Sequence, residues 1–145
     1  MTSPLRPLSD DEMAACEAGL DLAAGLVEAT RPLTGDQVQG LYDMLLADHV
    51  HDGDAVIALG IAFGEMFVRK AGFEWVRVSD DYGDETCVSP AGKEIFCAPI
   101  SMMQKRLQRR DAIDLTRLCD EMIALIDLRI DEAGVADRGP TPGNT

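Results

Sequence analysis

The chain has 145 residues, enough for one domain around a single hydrophobic core. With 46% apolar and 27% charged residues it is ordinary globular material, and its 13 basic against 26 acidic residues give a net charge of −13. That field repels nucleic acid and anionic membrane surfaces and draws basic partners. It is strongest toward the N-terminus, where residues 1–60 hold 11 acids and only Arg6 and Arg31 as bases.

Residues 1–8, with two prolines, read as a loose leader that lacks the apolar run of a signal peptide. Ser9-x-x-Glu12 is a capping-box pattern and opens a helix, with Met13, Cys16, Leu20, Ala23 and Val27 spaced as a buried stripe. Arg31-Pro32 marks its end. Thr34-x-x-Gln37 repeats the pattern for a second helix that buries Val38, Leu41, Tyr42, Leu45 and Leu46. Asp52 caps a third, roughly 53–71, apolar on most sides and therefore central; Gly72 ends it.

The period then changes. Strands are expected at 73–79, 85–88 and 94–98, joined by the turns Asp80–Asp84 and Ser89–Gly92, as an antiparallel meander. Pro99-x-Ser101-x-x-Gln104 is a third capping box, for a helix to about Arg109, and Asp111 caps the last helix. The seam of that helix is Leu115, Leu118, Met122, Leu125 and Ile126. Residues 9–133 thus form one α+β domain, about five helices packed with a three-stranded meander, and 134–145 a disordered tail.

Few residues suggest chemistry. Gly60-x-x-x-Gly64 in a soluble helix lets a neighbour approach closely. Glu65, the lone charge in an apolar run, shares a face with Asp54, Ala58 and Arg69, which favours a rim position over a buried acid. If Val76 and Val78 meet the helices, Trp75 and Arg77 face outward as an interaction anchor. The alternative has the last helix covering Trp75 as core. With Asp80, Asp81 and Tyr82 these two residues make up the candidate partner-binding set.

The acids around the turn, Asp84 and Glu85 included, lack the spacing of a calcium loop. His49 and His51 cannot form the helical pair of a zinc enzyme, and no metal or cofactor is implied. The basic cluster Lys105, Arg106, Arg109 and Arg110 could receive a phosphate, but cations at a helix C-terminus offset its dipole. Cys16, Cys87, Cys97 and Cys119 are scattered among apolar neighbours and read as buried hydrophobes. The longest apolar run, 55–64, is too short to span a bilayer, so the expected place is the cytoplasm.

Leu59-Gly-x-x-x-Gly64-Glu65, Trp75-Val-x-Val78-x-Asp80-x-Tyr82-Gly83, Pro99-x-Ser101 and Lys105-Arg106 together resemble the core of a bacterial domain-of-unknown-function family, over roughly residues 40–125. The resemblance implies a small α+β fold and leaves function open. Charge, size and the lack of a catalytic constellation favour a non-enzymatic protein-binding module, such as an immunity- or antitoxin-like partner of a basic protein. The alternatives are a small enzyme or ligand-binding domain using Glu65, Arg77 and the turn acids, and a homodimeric structural protein.

Overall fold

The computed structural model describes residues 3–48 and 52–137. His49, His51 and residues 138–145 lie outside them. The order is β1 (Leu5–Pro7), α1 (Asp10–Leu26), α2 (Gly35–Ala47), α3 (Gly53–Ala71), β2 (Glu74–Asp80), β3 (Gly83–Ser89), α4 (Pro99–Arg109) and α5 (Leu115–Ala133). This is the expected α+β class, with five helices and a three-stranded antiparallel sheet ordered β1-β2-β3.

The third strand comes from a different part of the chain. Residues 5–7 pair with Val76–Val78 of β2, with Arg6 opposite Arg77, and Leu5 is buried beside Val76, Val78 and Cys87. Prolines are tolerated there because β1 is an edge strand and does not need every N–H. The segment 94–98, expected as a strand, meets β3 only at the Val88–Cys97 bridge. Its other backbone groups are taken elsewhere. The Glu94 N–H donates to the Ala136 carbonyl at 2.9 Å, and the buried Ser89 hydroxyl lies 2.6 Å from the Ile95 carbonyl. Lys93 pairs with Asp137 at 2.6 Å, so the C-terminal segment is tied down as far as residue 137.

Two capping boxes form as spaced, at Ser9–Glu12 and Thr34–Gln37. The third does not. Ala98 occupies the N-cap of α4, and the Ser101 hydroxyl instead donates to Glu85 of β3. Asp114, not Asp111, caps α5 through the Arg117 N–H. The Asp111 carbonyl receives the hydroxyl of buried Tyr42. Helix α1 stops at Leu26, before Arg31, where the chain turns through Glu28 at a φ of 52°.

Helix α3 is the centre. It touches α1, α2, α4, α5 and β3. Phe63 and Phe67 meet edge to face at 5.3 Å inside it, and Phe73 continues the aromatic stack. Gly60 and Gly64 allow the closest approaches. A Cβ at Gly60 would lie 2.5 Å from the Ile100 Cα, and one at Gly64 would lie 2.4 Å from the Trp75 ring and 2.8 Å from Pro99. Gly60→Ala and Gly64→Ala should each lose ~1–3 kcal/mol by overpacking. Gly40→Ala in α2, with nothing within 4 Å of the new Cβ, should gain up to ~1 kcal/mol from helix propensity. Urea midpoints of the three variants check both signs.

Candidate functional site

The sheet turns the face opposite to the one that alternation with Val76 and Val78 suggests. Those two valines, Cys87 and Leu5 form a small cluster of their own. Trp75 and Arg77 point toward the helices, and α3, not the last helix, covers Trp75. The indole lies against Gly64, and its Nε1–H donates to Glu65 Oε2 at 3.1 Å. Glu65 is half-buried at the rim, as helical geometry predicts, but its partner is Trp75 rather than Arg69.

Arg77 belongs to a separate polar cluster. Its Nη1 donates to Thr86 Oγ1 at 2.7 Å, and its buried Nε lies 3.4 Å from Glu12 without completing a hydrogen bond. Glu12 also takes both guanidinium nitrogens of Arg6, at 2.8 and 2.9 Å, and the Ser9 N–H. One carboxylate thereby joins β1, α1 and β2. Its hydrogen bonds from Arg6, and then from Ser9, hold the Glu12 carboxyl at about 2, below its ordinary 4.5. A carboxyl depressed by folding stabilises the fold above its unfolded value and stops doing so as pH falls through its folded one. Between about 4.5 and about 2 the native protein should therefore lose stability relative to Glu12→Gln, read as the difference in urea midpoint at each pH.

The remaining predicted residues do not join this surface. Asp80, Asp81 and Tyr82 form the tip of the β2–β3 hairpin, where the Tyr82 N–H donates to Asp80 at 2.8 Å and the ring is 99% exposed. Asp80–Tyr82 thus extend from the end of the strand whose Trp75 and Arg77 face inward, so the five candidate residues divide into three places. The basic cluster is divided as well. Arg106 pairs with Asp111 at 3.6 Å, and Arg110 caps α4 in the left-handed region and donates to the Leu46 carbonyl. Lys105 and Arg109 are exposed near the end of α4.

The composition gave no sign of what flanks α1. Met13, expected in the buried stripe, is 54% exposed. It lines a cleft of about 360 Å³ between α1, α3 and β2, together with Leu8, Leu20, Val68, Trp75, Glu17 and Glu65. On the other side of α1 a second cleft, about 280 Å³, holds Arg77 and Thr86 against Ile57, Ile61 and Ile100. The first has the size and the apolar lining, with few polar groups, of a ligand pocket. The only sequence signal was the stripe itself, one residue longer than its neighbours could cover.

The cysteines offer no reactive centre. All four are free and buried, and burial pushes Cys16 and Cys119 up to about 11 and Cys87 and Cys97 up to about 12. A thiol-specific chromogenic reagent at neutral pH should label Cys87, Cys97 and Cys119 only as fast as the protein opens, and rapidly in denaturant. Among the described residues no group of three His, Cys, Asp or Glu is placed to hold a metal ion, and no helix is long and apolar enough to cross a membrane.

Residues 41–118, just over half the chain, match the family model described as "Domain of unknown function (DUF3806)". The chain belongs to this family. The matched segment runs from α2 into α5 and so includes the glycine contact, Glu65 and Trp75, while β1 and α1 lie outside it. No curated protein matches the chain. A crystal structure at 1.50 Å from Bacteroides thetaiotaomicron VPI-5482 is similar in fold, with a TM-score of 0.66 at 14% identity over 85% of this chain. The DUF3806 chain spans about half the length of that neighbour, covering 48% of it.

Proposed function

We propose that this DUF3806 domain is a non-catalytic binding module for a basic protein, immunity- or antitoxin-like in kind, acting in the bacterial cytoplasm and docking on the outer face of α1. The observation that carries the reading is the composition of that helix. It holds Asp10, Asp11, Glu12, Glu17 and Asp21 with no base, and of its two exposed large apolar residues Leu22 lies on the outer side while Met13, on the opposite side, opens onto the cleft. Arg31 offsets Glu17 and Asp21 from the following loop, at 2.7 and 3.1 Å. Asp10 and Asp11 remain exposed in the first turn. A helix surface carrying one sign of charge suits a partner of the opposite sign, with steering that salt weakens. Four unpaired cysteines fit a reducing compartment.

Glu65, Arg77 and the hairpin acids, the residues an enzyme would need together, lie in three separate settings, which lowers the weight of that alternative. The test is capture of a stoichiometric partner from the source lysate at low and high salt. The native chain should retain a basic protein at low salt and release it at high salt. Asp10→Lys/Asp11→Lys, folded by circular dichroism, should lose at least tenfold in association rate, and Tyr82→Ala should lose nothing. A partner indifferent to salt and to the α1 reversal would end the proposal.

A further inference from the structure

The geometry points to the α1–α3–β2 cleft as the seat of one long basic side chain, a lysine or arginine of the bound protein. Its aliphatic stem would lie on Met13, Leu20, Val68 and Trp75, and its cationic head at Glu65. This rests on the docking reading above and names the part of the partner that the cleft takes.

Three observations on this cleft lead there independently of net charge. The first is shape and lining. The volume is about 360 Å³, the walls are mostly apolar, and the lining residues include Glu17 and Glu65 and no lysine, arginine or histidine. A flexible side chain with an apolar stem and a charged tip matches that division. An anion would meet the Glu65 carboxylate, and a purely apolar group would bury it without a counter-charge.

The second is the state of Glu65. Its Oε2 accepts the Trp75 indole N–H at 3.1 Å, and this orients the carboxylate while using only one of about four acceptor positions. Glu65 also borders a much smaller pocket, about 40 Å³, whose lining includes Arg31 and Arg69. Arg31 is already committed to Glu17 and Asp21. Arg69, one helical turn on from Glu65, lines that smaller pocket and not the cleft. The larger opening is thus the side from which a cation from outside can reach the carboxylate.

The third is Trp75. Gly64 removes the Cβ that would displace the ring, so the indole sits fixed against α3 and borders the cleft. A fixed indole beside a carboxylate offers a cation both a π face and a counter-charge. Met13, exposed at 54% on α1, adds a flexible thioether that adapts to the stem of the guest.

Trp75 is the chain's single tryptophan, so its emission reads the site directly. The full chain would be titrated at low ionic strength with Nα-acetyl-lysine amide, with Nα-acetyl-arginine amide, and with the lysine compound acetylated at its ε-nitrogen. A saturable change in the millimolar range is expected with at least one of the two cations and none with the neutral analogue. Glu65→Gln, which keeps an acceptor for the indole, should weaken binding at least tenfold at an unchanged urea midpoint. Met13→Lys, at an exposed position, should weaken it similarly by placing a competing cation at the cleft. No saturable response to either cation, an equal response to the neutral analogue, or native affinity in both variants would overturn the inference. Salt-sensitive capture of a basic partner that Glu65→Gln leaves unchanged would also overturn it while the α1 reading stands. Cation binding without any basic partner would leave the cation site and remove the protein that was to fill it.

Discussion

The close approach of α4 and Trp75 to the backbone of α3 is the constraint on which the rest of the structure depends. A helix touched by four others and by the sheet must be apolar almost all round, and α3 is. Side-chain size then limits how near the neighbours can come. Gly60 lets the backbone of Ile100 reach the helix surface, and Gly64 admits both Pro99 and the edge of the indole. The start of α4 and the start of β2 are thereby held against the same helical turn. With larger residues there, both would stand off and the indole could not reach Glu65.

Helix α1 is fastened differently. At its N-terminus Glu12 joins it to Arg6 of β1 and Arg77 of β2, and farther along Gly19 sits against Ile61 of α3. Between these two attachments its side chains, Ala15 and Cys16 among them, do not fill the space to the sheet. Cys16, Leu20 and Ala23 pack with α3 in the main core, and the space left toward the sheet forms the two clefts on either side of α1. Their chemistry differs because Trp75 and Arg77, two positions apart on the same face of β2, fall on opposite sides of α1.

The strongly shifted groups, Glu12 and the four cysteines, are accounted for by contacts within the fold. A catalytic carboxylate usually has a perturbed proton affinity and a reacting partner group within reach. Here the strongly perturbed carboxylate, Glu12, is depressed by hydrogen bonds from Arg6, which also holds β1 to the domain, and from Ser9, which is a structural use. The thiols are perturbed in the unreactive direction by burial. The similarity in fold to half of a longer Bacteroides protein concerns architecture.

Much of the architecture was legible in residue order because helix caps and periodicity are local. Asp52 and Gly72 bound α3 to the residue, the first two capping boxes form as spaced, and the turn at Gly83 joins two strands close to where alternation put them. What local pattern could not settle was competition between distant groups. Ser101 has the spacing of a cap but meets Glu85, Asp111 gives its carbonyl to Tyr42, and residues 94–98 lose their strand partners to Ser89 and Ala136. The third strand came instead from a proline-bearing segment some 70 residues away, because an edge position forgives a missing N–H. The sequence by itself determined the fold class, the central helix, its two glycines and the acidic α1, since each is written in contiguous residues. Only the tertiary structure decided which face of β2 meets the helices, and with it that Trp75, Glu65 and Met13 border one cleft. Strand alternation defines two faces equally well, and burial against the rest of the chain is what chooses between them.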